Sequence, residues 1–456
     1  MRKLLVIVVV LVVAAVGAFV IAGRAAGPAI QVPSPEKFVG ASTPLEVLID
    51  APGAALASLG IVFEQNGAQT VLFALGSDAN GTAVTREGDR VRVRRDIGRQ
   101  SIPTLKSGPA RIIVTASRPV LFGLRHVEAT VTRDVQVRLE RPSVSVLSTH
   151  HYINLGGSEM IVYRAMPADV LSGVKVGDIE YPGFPASGAT VDGVKIADPA
   201  AHIAFFALRY DQDLNAPMRL FARDDAGNEA EAEFDHRTFP KPFKHSRIPL
   251  DDKFLDRVVP AILASTTEVK PDGSTIDKFL VINGELRRKN AATIAALAKQ
   301  TSPEMLWQGV VFHPFTNTKV ESAFADFRTY DYQGKEVDHQ VHLGFDLASF
   351  ANATVVAANR GKVLYADMLG IYGNCVILDH GMGVQSLYAH LSSIEVKVGA
   401  VVDKDQALGK SGMTGLAAGD HLHFTMLVGG QMVNPIEWWD PHWIEDRVLR
   451  KLRDAK

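Results

Sequence analysis

The sequence predicts a mainly β protein behind a single N-terminal membrane helix, with two β-sandwich domains, a partly helical connector and a final block of short strands. Three observations predict this: an uncharged apolar run at the start, many short β-forming runs punctuated by Gly, Asn, Asp and Pro, and one late segment of helix-forming composition. At 456 residues the chain exceeds one hydrophobic core, and usual domain sizes suggest about three folded units.

After Met1-Arg2-Lys3, residues Leu4 to Ala22 carry no charged or strongly polar side chain. At about 1.5 Å per residue such a helix nearly crosses a hydrocarbon core of about 30 Å. Residues 1–27 are therefore read as a transmembrane anchor, long for a cleaved signal, with Val20-Ile21-Ala22 as the cleavage site on that second reading. Arg2 and Lys3 outweigh Arg24, which favours a cytoplasmic N-terminus with the bulk of the chain outside the cytoplasm.

Residues 28–37 are Pro-rich and polar, a spacer. Runs such as Leu45-Glu46-Val47-Leu48-Ile49 and Val135-Gln136-Val137-Arg138-Leu139 then predict a β-sandwich over 28–140. A second, over 141–239, closes with Met218–Arg223 and the turn Asp224-Asp225-Ala226-Gly227-Asn228, which resembles the ending of bacterial immunoglobulin-like domains. Residues 240–302 form the connector: Asp251-Asp252 are placed to cap a helix through Phe254, Val258 and Ile262, and Ala291–Ala298 has helical composition. Short Gly-rich strands fill 303–440, and a terminal helix is expected over 441–456.

A net charge of −2 with 21% charged and 47% hydrophobic residues excludes a nucleic-acid-binding surface and a disordered polyelectrolyte. The single cysteine, Cys375, excludes an intrachain disulfide and lies in the apolar run Cys375-Val376-Ile377-Leu378, where it reads as a buried strand residue.

Three features of the final block carry chemistry. In His342-Leu343-Gly344-Phe345-Asp346, residues four apart face the same side of an extended chain, so imidazole and carboxylate could meet on one ion. Asp338 stands at the same spacing before His342, which makes a plain salt bridge the simpler account of that pair alone. Leu387-Tyr388-Ala389-His390-Leu391 places a His in an apolar strand, ordinarily a packed, hydrogen-bonded position. In Asp420-His421-Leu422-His423-Phe424, the period of two puts both imidazoles on one face, where burial is costly without a partner or a metal. Two His and one Asp make the three-ligand set that leaves a tetrahedral zinc position open for water, whereas a structural zinc takes four ligands, commonly several Cys.

In this order, His342-x-x-x-Asp346, Tyr388-Ala389-His390-Leu391 and His421-Leu422-His423-Phe424 resemble the lysostaphin/LytM-type zinc metalloendopeptidases of bacterial peptidoglycan. Gly373-Asn374, Asp379-His380-Gly381, Val396-Lys397-Val398-Gly399 and Gly412-Met413-Thr414-Gly415 resemble the turns of that family's antiparallel sheet. The resemblance covers about Glu304 to Asp440. It implies that His342, Asp346 and His423 bind one zinc ion per chain, that His390 and His421 are the catalytic imidazoles, and that peptidoglycan peptides are the substrate. Three departures bear on substrate contacts: Ala325 follows Phe324 where Gly is usual, Asp420 stands where Pro is frequent, and Thr425 where an acid is common. Arg328 is a candidate substrate contact or else a solvated charge. The β-domains are read as spacers toward the cell wall or as a docking place for a regulatory protein, and the connector as a segment that occludes the groove. Two rivals stand beside this. One is a non-catalytic domain of the same fold that binds the wall or activates another hydrolase. The other is a biotinyl or lipoyl carrier, suggested by Val396–Lys404, which leaves the histidines unexplained.

Overall fold

The computed structural model describes residues 2–52, 55–77, 81–191, 193–307 and 311–455; Met1 and Lys456, the outermost residues of the expected anchor and terminal helix, lie outside them. The chain forms two compact units, Met1–Pro142 with Arg223–Glu229, and Ser143–Ala222 with Ala230–Lys456.

In the first unit, helix Arg2–Ala22 is long and apolar enough to cross a membrane, with a mean hydropathy of 3.3 over Leu5–Ala22 and no part of that window buried by protein. Beyond it, two sheets enclose one core. One runs in the order Ala29–Ser34, Thr43–Asp50, Arg90–Ile97, Thr82–Glu87; the other in the order Phe38–Val39, Arg125–Val137, Gly108–Val120, Ser58–Gln65, Ala68–Ala74. Strand Thr43–Asp50 explains why they close: alternate residues Leu45, Val47 and Ile49 are fully buried against Ile61, Phe63 and Ile112, while Glu46 and Asp50 pair outward with Arg94 and Arg90.

The second unit begins with strands buried on both faces, Ser158–Met166 paired with Ala201–Ala207. Their core is continuous with that of the C-terminal block. The Phe205 and Trp438 rings lie 5.9 Å apart, and the Trp438 indole donates to Ser158 Oγ at 3.0 Å. Buried Glu437 accepts from Asn154 Nδ2 and Ser158 N, both at 2.8 Å. Helical turns from Pro441 to Asp454 then fold back, and Lys451 meets the fully buried Glu159 at 2.8 Å.

The C-terminal block is built on an eight-stranded antiparallel sheet. Its order is Lys319–Ser322, Phe345–Ala348, Leu422–Val428, Val384–Leu391, Asn374–Gly381, Gly361–Met368, Val401–Val402, with Gln431–Val433 paired to Leu422–Val428. Cys375 is fully buried in it. Residues 240–302, read as a connector, pack against one face of this sheet. Strand His245–Leu250 runs parallel to Asp326–Tyr332, and Asp251 caps helix Asp252–Ser265 through the Phe254 N–H. Its buried stripe, Leu255, Val258, Val259 and Ile262, shares a core with Ile377, Leu387, Ala389 and Leu427 of the sheet.

The Glu159–Lys451 pair is desolvated, so burial raises the carboxyl pKa and lowers the ammonium pKa while each charge supports the other. Lys451→Met is expected to destabilise the second unit by about 3–5 kcal/mol, because it leaves a buried carboxylate, and Glu159→Gln added to it should recover most of the loss. All four tryptophans, Trp307, Trp438, Trp439 and Trp443, lie in this unit, so urea unfolding followed by tryptophan emission reads it directly. A loss below about 1 kcal/mol, the range of solvated surface pairs, would mean that the pair is hydrated in solution.

Candidate metal centre

Pairing register places the site. Asp346 lies directly opposite His423 across neighbouring strands, and directly opposite residues share a face. His423 Nδ1 is 3.0 Å from Asp346 Oδ1 and 3.0 Å from His342 Nε2, which is itself 2.9 Å from the same oxygen. Three ligand atoms thus converge on one point. His342 and Asp346 do not lie on one extended chain, as their spacing suggested. His342 ends strand Lys335–His342 of a separate three-stranded sheet, the chain turns at Leu343-Gly344, and Asp346 belongs to the large sheet. Gly344 is required at that turn because a Cβ there would fall 2.5 Å from the His423 ring. Asp338 does not pair with His342; its carboxylate accepts from Asn283 Nδ2 at 2.7 Å.

These donors suit a cation. The Nδ1–H of His342 donates to the Ala323 carbonyl at 3.1 Å, which leaves Nε2 a bare lone pair aimed at a carboxylate oxygen, and two acceptors at 2.9 Å repel unless a positive charge lies between them. His423 Nε2 is buried without a hydrogen-bond partner, so the polar contacts of that ring are made through Nδ1, toward His342 and Asp346. The other oxygen of Asp346 is held by Arg328, which donates to Oδ2 at 3.2 Å and to Ser322 Oγ at 2.9 Å. Arg328 is therefore not a solvated charge: it orients the carboxylate so that Oδ1 faces the imidazoles.

His390 reaches the same face by a backbone irregularity. Between the pairs Val376↔Tyr388 and Asn374↔Leu391, two residues, Ala389 and His390, stand opposite the single Cys375, and His390 takes φ = 63°. This is a β-bulge, which re-aims a side chain that simple alternation would send with Tyr388 to the opposite core. The His390 ring lies 4.9 Å from that of His421 and 5.8 Å from that of His423. Both outer imidazoles are fixed by Nδ1–H bonds to carbonyls of one loop, His390 to Thr414 at 2.8 Å and His421 to Gly419 at 2.9 Å, so each turns Nε2 inward.

Their electrostatics diverge. Burial, reinforced by the neighbouring His421 and His423, holds the His390 pKa well below its ordinary value. Burial lowers His421 most, but the bond to Asp346, the charge of that carboxylate and the bond to the Gly419 carbonyl together leave it raised. For Asp346, burial pushes the carboxyl up, yet the surrounding imidazoles hold it well below the carboxylate range, and burial brings His423 down to about 4. The five side chains floor a cleft of about 1040 Å³, one wall of which is the connector through Phe254, Arg257 and Arg287.

Residues 340–435, which include all five, match the model of peptidase family M23. The chain carries an M23 peptidase domain at its C-terminus. M23 enzymes are metallopeptidases, in keeping with a ligand set of His342, Asp346 and His423 that could bind a metal. The M23 region is 33% identical over 130 residues to DD-carboxypeptidase/endopeptidase Mpg of Neisseria meningitidis, covering 28% of this chain and 29% of that one. It is 36% identical over 96 residues to peptidoglycan DD-endopeptidase ShyA of Vibrio cholerae, covering 21% and 22% respectively. The chain thus matches less than a third of the length of either relative. The lysostaphin catalytic domain from Staphylococcus simulans is 29% identical over 26% of this chain and 90% of that domain, with a TM-score of 0.23.

Arg328, Arg257 and Arg287 are the site residues that the motifs did not assign. Arg328 stands in the sequence reading only as a candidate substrate contact, whereas the other two come from 240–302 and join the cleft only through tertiary packing. Arg328→Met removes the donor to Asp346 Oδ2 and should weaken metal binding about 10–100-fold, the usual cost of losing a partner that orients a ligand. Competition against a chromogenic chelator measures this, and an unchanged affinity would show that Asp346 needs no such support.

Proposed function

We propose that this chain is a zinc metalloendopeptidase that hydrolyses peptide cross-bridges or stem peptides of bacterial peptidoglycan outside the cytoplasm, held at the membrane by helix Arg2–Ala22. The observation that carries the proposal is the meeting of His342 Nε2, Asp346 Oδ1 and His423 Nδ1 at about 3 Å from one another, with two further imidazoles beside them. The names of the relatives support peptidoglycan as the substrate class. Residues 28–140 and 141–239 are proposed as two immunoglobulin-like domains that serve as spacers toward the wall or as a docking place for a regulatory protein.

His342, Asp346 and His423 would hold one zinc ion, which when bound supplies a water of pKa about 7 and polarises the scissile carbonyl. The residues of the chain do the rest. His390, kept neutral by burial and with Nδ1–H committed to Thr414 O, offers Nε2 as the proton acceptor. His421, whose raised pKa favours the imidazolium, donates to the developing oxyanion and then to the leaving amine.

Purified full-length chain should release peptide fragments from isolated peptidoglycan, identified by mass spectrometry. A chelator should stop the release and added zinc restore it, so full activity after verified metal removal would sink the proposal. The roles separate by substitution. His423→Ala and Asp346→Ala should lose zinc and activity together. His390→Ala and His421→Ala should keep zinc while turnover falls roughly 10²–10⁴-fold. Zinc loss in His421→Ala with retention in His423→Ala would reverse the assignment.

A further inference from the structure

The hairpin of strands Gly108–Val120 and Arg125–Val137 ends in Leu121-Phe122-Gly123-Leu124, a tip that is not used by any core. Phe122 is fully exposed and Leu124 is 74% exposed. Leu121 and Phe122 both adopt left-handed backbone, φ = 50° and 54°, a conformation that Gly or Asn fills readily and that a bulky side chain occupies only against steric strain. Two large apolar side chains are thus presented outward at a conformational cost.

The tip lies beside the membrane helix. The hairpin follows the chain back from the first strand toward the helix. Gly27 is packed against the Glu128 backbone, Arg118 Nε donates to Ala26 O at 2.9 Å, and Arg125 Nη1 donates to Phe19 O at 2.6 Å. The Arg125 guanidinium also lies 4.7 Å over the Phe19 ring. Arg125 is the partner of Val120, so Leu121–Leu124 extend past this contact, alongside the last turns of the helix. Phe19 stands three residues inside the helix end at Ala22, about 4.5 Å deep at 1.5 Å per residue. Around the tip, from Arg118 to Val127, the hairpin carries Arg118 and Arg125 and no acidic residue; farther from the tip, Arg111 is paired with Asp134 at 3.3 Å.

We propose that Leu121–Leu124 is a second membrane-contacting element, with Phe122 and Leu124 inserted at the boundary between headgroups and acyl chains, and Arg118 and Arg125 at the level of the lipid phosphates. Apolar groups of this kind enter the interface by about 5–10 Å, and flanking arginines keep their charged heads at its polar edge. The inference rests on the reading that Arg2–Ala22 spans the bilayer. Its consequence is mechanical: a single helix would leave the first sandwich free to tilt, whereas a helix and an inserted tip fix it at two points.

The test uses full-length chain in nanodiscs of phosphatidylethanolamine and phosphatidylglycerol, with an environment-sensitive fluorophore on one introduced thiol. Native Cys375 is fully buried and leaves the introduced site as the reactive one. Labels are placed at Phe122→Cys, at Val10→Cys in the helix, and at Ala68→Cys, exposed at the opposite end of the same sheet. The expected result is that lipids spin-labelled near the headgroup quench the label at position 122 more than deeply labelled ones do, that deeply labelled lipids quench position 10, and that neither quenches position 68. Quenching at 10 without quenching at 122 would overturn the proposal while leaving the anchor intact. A blue-shifted but unquenched label at 122 would also overturn it, by showing that protein covers the tip. No quenching at either position would remove the anchor reading, and the inference with it.

Discussion

Asp346 is the charge on which the catalytic face depends. A carboxylate at this depth is tolerable only if both oxygens are compensated, and the two are served by different partners. Arg328 takes Oδ2, while His342, His421 and His423 crowd Oδ1. Arg328, His342 and the His421/His423 pair come from three different strands or strand ends, so the compensation of one carboxylate draws on three segments that meet at the cleft. Among these partners His342 is the one whose Nδ1–H is given to the Ala323 carbonyl, so its Nε2 faces Oδ1 as a second acceptor, a contact suited to a shared cation.

Part of this was legible because it is local. The period of two in His421-Leu422-His423 fixes both rings on one face of any strand, and Asp251 before an amphipathic stripe marks a helix start whatever surrounds it. His390 was not legible from its neighbours, since alternation in Val384–Leu391 sends it to the wrong side and only a bulge against Cys375 corrects this. The spacing of His342 and Asp346 was informative for a reason other than geometry along a strand, for the chain bends between them. The bond from Trp438 to Ser158 spans 280 positions, and no local pattern encodes it.

Two of the three departures from the family pattern, Ala325 and Asp420, have local accounts. Ala325 adopts φ = 60° and donates its N–H to the His342 carbonyl, so it occupies in left-handed geometry a position where glycine costs less. The His342 strand end is thus held at the expense of some strain. Asp420 accepts from Ser411 Oγ at 2.6 Å and from Asn352 N at 3.0 Å, pinning the residue before the His pair through its side chain, where proline would do so through its ring.

The connector's position bears on how the cleft could open. Helix Asp252–Ser265 is fixed to the sheet by a buried apolar stripe, against which Leu416 of the facing loop also packs, and Arg257 adds bonds to the Ala417 carbonyl at 2.8 Å and to that of Ala418 at 3.4 Å. Net hydrogen bonds are worth about 1 kcal/mol, whereas stripping Leu255, Val258 and Ile262 from their core would cost several times that. The helix therefore stays with the sheet, and the loop is held there as well, by Leu416 N–H to the Ile371 carbonyl at 2.9 Å and Thr414 Oγ1 to the Leu391 carbonyl at 2.9 Å. That loop also supplies Thr414 O and Gly419 O, which set the tautomers of His390 and His421. Because the same segment meets Arg257 and fixes both imidazoles, any change in the width of the cleft at this loop would also change the orientation of His390 and His421, which under the proposed function ties access to alignment through one short segment of backbone.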